Sequence, residues 1–160
     1  MVLASVIFTG VMLSLRLKKR KEALCETVMF ISQVSMEIEF VSLPLFEILK
    51  KIAEGDCCKS LDFIPLCIEN RKRGEDFSVC WEAAVEASCL PMKREERQKL
   101  KSLSGLLGTS DASGQKNMLS LYGSYFSSYY QNAVKEYEKY GKMCVTLSVV
   151  MGTGIFILLI

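Results

Sequence analysis

Histidine is absent from this chain of 160 residues. That removes the usual general base near neutral pH, the commonest zinc ligand, and the base of every Ser-His or Cys-His nucleophilic arrangement. Most hydrolase chemistry is disfavoured at once. An excess of one charge is lacking too: 20 Lys and Arg against 18 Asp and Glu leave a net charge of +2. With the signs interspersed, there is no broad basic field to draw the chain onto nucleic acid. The 7 cysteines, at positions 25, 57, 58, 67, 80, 89 and 144, include no C-x-x-C pair. An odd set with several members at helical apolar positions fits reduced, buried thiols better than a disulfide framework.

The remaining chemistry is equally thin. Vicinal Cys57 and Cys58 have no further ligand at metal-binding spacing, so no metal is expected. Gly105, Gly108, Gly114 and Lys116 superficially suggest a phosphate loop, but the lysine does not follow its glycine directly and no buried strand precedes it. Glu37 with Glu39, and Glu95 with Glu96, point in different directions on a helix and read as solvated faces. No catalytic residue, cofactor or small-molecule substrate is expected.

What the chain does have is a sharp segregation of charge. Every charged residue lies between Arg16 and Lys142, and both ends are uncharged. Residues 143–160 form an uncharged run that as a helix would span ~27 Å, against a hydrocarbon core of ~30 Å. Residues 1–15 would span roughly 22 Å and so would have to thin the bilayer, let Arg16 snorkel or be preceded by further residues. The cations Arg16, Lys18, Lys19, Arg20 and Lys21 follow this stretch, whereas a cleaved signal peptide carries its charge before the apolar run. The expectation is two transmembrane anchors, 1–15 and 143–160. By the positive-inside rule they flank a cytoplasmic segment, 16–142, in a two-pass integral membrane protein. The basic cluster could also touch anionic lipid headgroups.

Within 16–142, Leu24, Val28, Ile31, Val34, Ile38 and Val41 recur at helical steps, which predicts a first helix running out of the anchor to about Phe40. Ser42 and Pro44 open a short helix through Ile52, closed by Gly55. Pro65 must kink the next helix or begin it. A charged turn surrounds Gly74, and Ser78 is expected to cap a helix that carries Trp81, Ala84 and Val85 inward and ends by Pro91. A fifth helix is predicted from about Met92 to Leu107, ending at Gly108 with a left-handed cap. From about Ala112 the spacing of Met118, Tyr122, Tyr125, Tyr129, Ala133, Tyr137 and Tyr140 predicts one long helix continuing into the second anchor. No strand-like alternation is sustained, so the fold class is all-α, an antiparallel helical bundle.

Two stretches resemble the stage III sporulation protein AB family. The run Glu37-Ile38-Glu39-Phe40, then Leu43-Pro44-Leu45 and Ile52-Ala53, looks like that family's acidic helix end and proline-opened short helix. Leu100, Leu103, Leu107-Gly108, Asp111 and Gln115 match its Leu-Gly helix end, Asp turn and Gln-opened last helix, and Trp81-Glu82 sits where the family has a Trp-Glu pair. Ser104 stands where glycine is common. The resemblance implies a non-enzymatic component of the channel between mother cell and forespore, in the mother-cell membrane. Its helical domain would be similar to the platform proteins of type II secretion and type IV pilus systems. On that reading its partners are membrane lipid, a cytoplasmic ATPase and other membrane subunits of the channel. A membrane-anchored helical adaptor outside sporulation and a membrane-bound enzyme without histidine are the competing classes.

Overall fold

The computed structural model describes residues 2–40, 44–55, 57–107 and 112–141, with residues 143, 146 and 150. Helix α1, Val2–Phe40, continues unbroken for 39 residues. Four shorter helices follow: α2 Leu45–Glu54, α3 Phe63–Arg71, α4 Phe77–Ala87 and α5 Arg94–Ser102. A single turn, α6 Ser104–Leu107, precedes the long α7, Ala112–Glu136, which ends in a π-helical turn over Tyr137–Gly141. No strand forms among the described residues.

Helix α7 lies antiparallel to the C-terminal half of α1. Arg20 meets Glu136 at one end of the pair, and Glu39 meets Lys116 at the other. The short helices pack on the side of α1 that carries Leu24, Phe30, Ile31 and Val34, all fully buried. Their contact is centred on three rings. Phe30 and Phe63 meet edge-on at 5.9 Å between centroids, and Trp81 stands 5.1 Å from Phe63 and 5.9 Å from Phe30. Edge-to-face geometry sets the positive ring rim against the negative face, and each buried ring removes 150–250 Å² of largely apolar surface from water. Trp81 also needs a partner for its indole N–H, and finds it in the Leu100 carbonyl at 2.8 Å, so α4 is bonded to α5 through the core.

Side-chain chemistry explains where the helices stop. Pro65 is the third residue of α3, a position whose N–H has no intrahelical partner, so proline begins this helix rather than bending it. Gly74 turns the chain with φ of 88°, which a residue without Cβ adopts freely. Asp76, not Ser78, holds the N-terminal cap position of α4, and its side chain makes no capping bond. The other end of α4 is closed by Arg97, whose guanidinium donates to the carbonyls of Val85, Ser88 and Leu90.

Two expectations need correcting. The fifth helix is not continuous from Met92 to Leu107: the hydroxyls of Ser102 and Ser104 bond back to the carbonyls of Lys99 and Lys101. Such bonds compete with the helical ladder, and the helix is interrupted by a single turn residue at Leu103, which keeps helical dihedrals while its N–H donates to the Leu100 carbonyl at 3.3 Å. The flanking transmembrane helices are likewise not upheld: no helix among the described residues is long and apolar enough to cross a membrane. The apolar part of α1 ends at Leu15, only about 21 Å from its start, and the next turn and a half brings Arg16, Lys18, Lys19, Arg20 and Lys21. The C-terminal anchor expected over 143–160 lies outside the described residues, apart from 143, 146 and 150.

Candidate functional site

The most unusual chemistry of the described residues is ionic and buried. Arg20 and Glu96 retain only 8% and 2% of side-chain exposure, and they form a paired contact in which Nε and Nη2 of Arg20 donate to the two carboxylate oxygens of Glu96. The third guanidinium nitrogen donates to Glu136 at 2.6 Å, and Lys93 donates to the other Glu136 oxygen at 2.6 Å. Glu96 also accepts the backbone N–H of Lys93 at 2.7 Å, which caps the start of α5. The planar fork of arginine matches a carboxylate in two parallel bonds. One guanidinium therefore ties α1, α5 and α7 together at the end of the bundle nearest the apolar part of α1.

The electrostatics of this node favour the charged forms. Desolvation alone would lower the Arg20 pKa, but hydrogen bonds and attraction from Glu96 and Glu136 outweigh it and hold the value raised. The bond from Lys93 is the largest influence keeping the Glu136 pKa low, against a desolvation that pushes it up. The Glu136 carboxylate is thus held ionised by its cations, which suits fixing helices in place and not moving protons.

The residues singled out in the sequence are positioned as follows. Glu37 is largely buried on α1, accepts from Lys51 of α2 at 2.6 Å through one oxygen, and has its other oxygen unpartnered. Pro44 precedes α2, and its carbonyl accepts the N–H groups of Glu47 and Ile48. Trp81 is at the centre of the core. Gln115, in the first turn of α7, donates through Nε2 to the Leu107 carbonyl at 2.9 Å, which ties α7 to the end of α6. Gly108 and Asp111 lie outside the described residues. Of the five basic residues, Arg16, Lys18 and Lys19 are exposed, Lys21 covers the ring of Tyr137 with 4.8 Å to the centroid, and Arg20 turns inward. These residues do not converge on one pocket.

The stage III sporulation protein AB family model matches residues 1–160, the whole of the chain. The chain belongs to that family. No characterised protein and no solved structure matches it. Membership in the stage III sporulation protein AB family makes this a sporulation protein. Three of the residues that carry the family likeness link one helix to another: Glu37 bridges α1 to α2, Trp81 bonds α4 to α5, and Gln115 joins α6 to α7. What the sequence left hidden is the partner set of Arg20, since Glu96 and Glu136 are 76 and 116 residues away. The one local signal was Glu96 three residues after Lys93, at the spacing of a capping box.

The cysteines are free thiols wherever described. Burial pushes the Cys58 thiol up to about 11 and Cys67 up to about 12, and raises Cys80 as well. All three are therefore protonated and poor nucleophiles near neutral pH. Among the described residues no group of His, Cys, Asp and Glu could hold a metal.

Proposed function

We propose that this family member is a non-enzymatic platform in the channel between mother cell and forespore, and that it holds a cytoplasmic ATPase against the other channel subunits. The observation that carries this reading is the way α1 is built into the bundle. It runs unbroken into the helical body and is fastened there by the Arg20–Glu96–Glu136 node. A body gripped in that manner moves with its first helix as one piece, as a part that transmits force between neighbours must. The ionic groups at the node are committed to one another, so the chain would work through contact and not through conversion of a substrate. Arg16, Lys18 and Lys19, exposed beside the node, would face anionic lipid headgroups or an acidic neighbour.

Immunoprecipitation of the full chain from sporulating cells, read by mass spectrometry, is expected to recover an ATPase and other channel subunits. Deletion of the gene is expected to halt forespore development. Normal spores from the deletion strain, or a precipitate repeatedly free of any ATPase, would rule this role out.

A further inference from the structure

A groove of about 510 Å³ opens on the flank of the bundle between α5 and α7, lined by Arg94, Glu95, Gln98, Lys99 and Ser102 of α5 and by Tyr129 of α7. Along its α7 edge Tyr122, Tyr125 and Tyr129 follow one another at three- and four-residue steps, which sets their rings along one side of that helix. Lys99 reaches across to them, with its ammonium 4.4 Å from the centroid of Tyr125 and 5.6 Å from that of Tyr122, and the Tyr122 hydroxyl lies 3.0 Å from that of Ser102. Tyr125 and Met118 are exposed on this flank. The charges here do not balance. The groove and the adjoining Arg20 node together hold five cations, Arg20, Lys93, Arg94, Lys99 and Lys135, against three carboxylates, Glu95, Glu96 and Glu136. Arg20 and Lys93 are committed to Glu96 and Glu136. Arg94, Lys99 and Lys135 form no ion pair among the described residues, and Glu95 is the one carboxylate left beside them. An unpaired cation on an open surface is ordinary, but these border a concave site edged with aromatic rings, and tyrosine with arginine is the combination enriched where protein interfaces hold their binding energy.

We propose that this groove is the docking site for an acidic helix of a partner protein. Arg94 and Lys99 stand about 7.5 Å apart along the axis of α5, so two carboxylates a turn and a half apart on the incoming helix would match them. Apolar side chains of that helix would rest on Tyr125 and Met118. Glu95 selects among acidic ligands. A nucleic-acid strand is charged at every phosphate and must set one against it, whereas a polypeptide can place a neutral residue there. This surface serves the contact role proposed above and rests on that reading, but the probe below is read without any sporulation partner, so the two can fail separately.

A fluorescein-labelled helical peptide of alanine, leucine and glutamate is to be titrated with the full chain in about 0.1 M salt, where charges further apart than ~10 Å are largely screened. Fluorescence anisotropy is expected to give a dissociation constant of about 100 micromolar or tighter. The same peptide with glutamine in place of glutamate should not bind. Arg94→Glu with Lys99→Glu is expected to weaken binding about tenfold or more, and Tyr125→Ala about threefold or more. Lys72→Glu with Arg73→Glu reverses as much charge on the exposed turn after α3 and should leave the affinity within about twofold of the parent. Arg94 is exposed in the first turn of α5, where a carboxylate is favourable, so the first double variant should keep the parent's circular dichroism spectrum; Arg94→Gln with Lys99→Gln is the second probe should it misfold. No binding up to about 1 mM chain, equal binding of the glutamine peptide, equal loss in the two charge-reversed variants, or an affinity indifferent to Arg94 and Lys99 would each overturn the proposal, and none of them bears on whether an ATPase is recovered from cells.

Discussion

At the residue scale, Arg20 is the group whose loss should cost most. Arg20→Met leaves Glu96 buried without its cation, and breaking a buried pair from one side typically costs about 3–5 kcal/mol. Urea unfolding is expected to show a loss of that size. Combining Arg20→Met with Glu96→Gln, which keeps an oxygen to cap Lys93, should recover part of it, so the two changes are non-additive in a double-mutant cycle. The same node predicts acid sensitivity. The Glu136 pKa is lowered in the folded chain, so its stabilisation is fully present above the ordinary glutamate value of about 4.3 and disappears as pH falls through the lower folded value. Melting temperature measured against pH should therefore drop on the acid side, and drop less in Glu136→Gln. The adjacent cysteines give a sharper contrast. Cys57 is exposed while Cys58 is buried with its thiol pushed up to about 11. Peptide mapping after brief maleimide treatment at neutral pH should find Cys57 modified well ahead of Cys58.

At the element scale, helical periodicity reported most of what the fold uses. The first helix ends at Phe40 as its apolar spacing predicts, Pro44 stands immediately before α2, and Gly74 turns the chain between α3 and α4. Gly74 has open space where a Cβ would point, so Gly74→Ala should cost only the left-handed backbone penalty of about 1–2 kcal/mol, and Gly74→Asn less. Urea midpoints would check both. Periodicity failed where side chains chose between competing partners. The spacing of Met118, Tyr122, Tyr125, Tyr129 and Ala133 predicts a helix but not its buried face: Met118 and Tyr125 are exposed, and the buried stripe is Leu119, Tyr122, Phe126 and Ala133. Three- and four-residue steps fit two overlapping faces of one helix, and only contact with α1 decides between them. The break at Leu103 was hidden for a similar reason, because Ser102 and Ser104 are neutral in a propensity reading until their hydroxyls take the carbonyls behind them.

At the scale of the whole molecule, the all-helical character was legible because no alternating pattern competes with the helical one, and the family was legible from residues at helix junctions. The spans were read from the length of the uncharged run at each end, and no helix among the described residues is long and apolar enough to cross a membrane. Long-range pairing was beyond reach for a different reason: the partners of Arg20 follow from how α5 and α7 return to α1, and nothing in the local pattern encodes that return.

Trp81, the sole tryptophan of the chain, sits with no solvent exposure between Phe30 and Phe63. The protein thus carries an optical reporter of its own interior. Emission excited at the indole band should be blue-shifted while the short helices remain docked on α1, and should move to the red only when they separate. A partner that merely lies along α7 would leave that colour alone, whereas one that pries the body open would announce itself without any label.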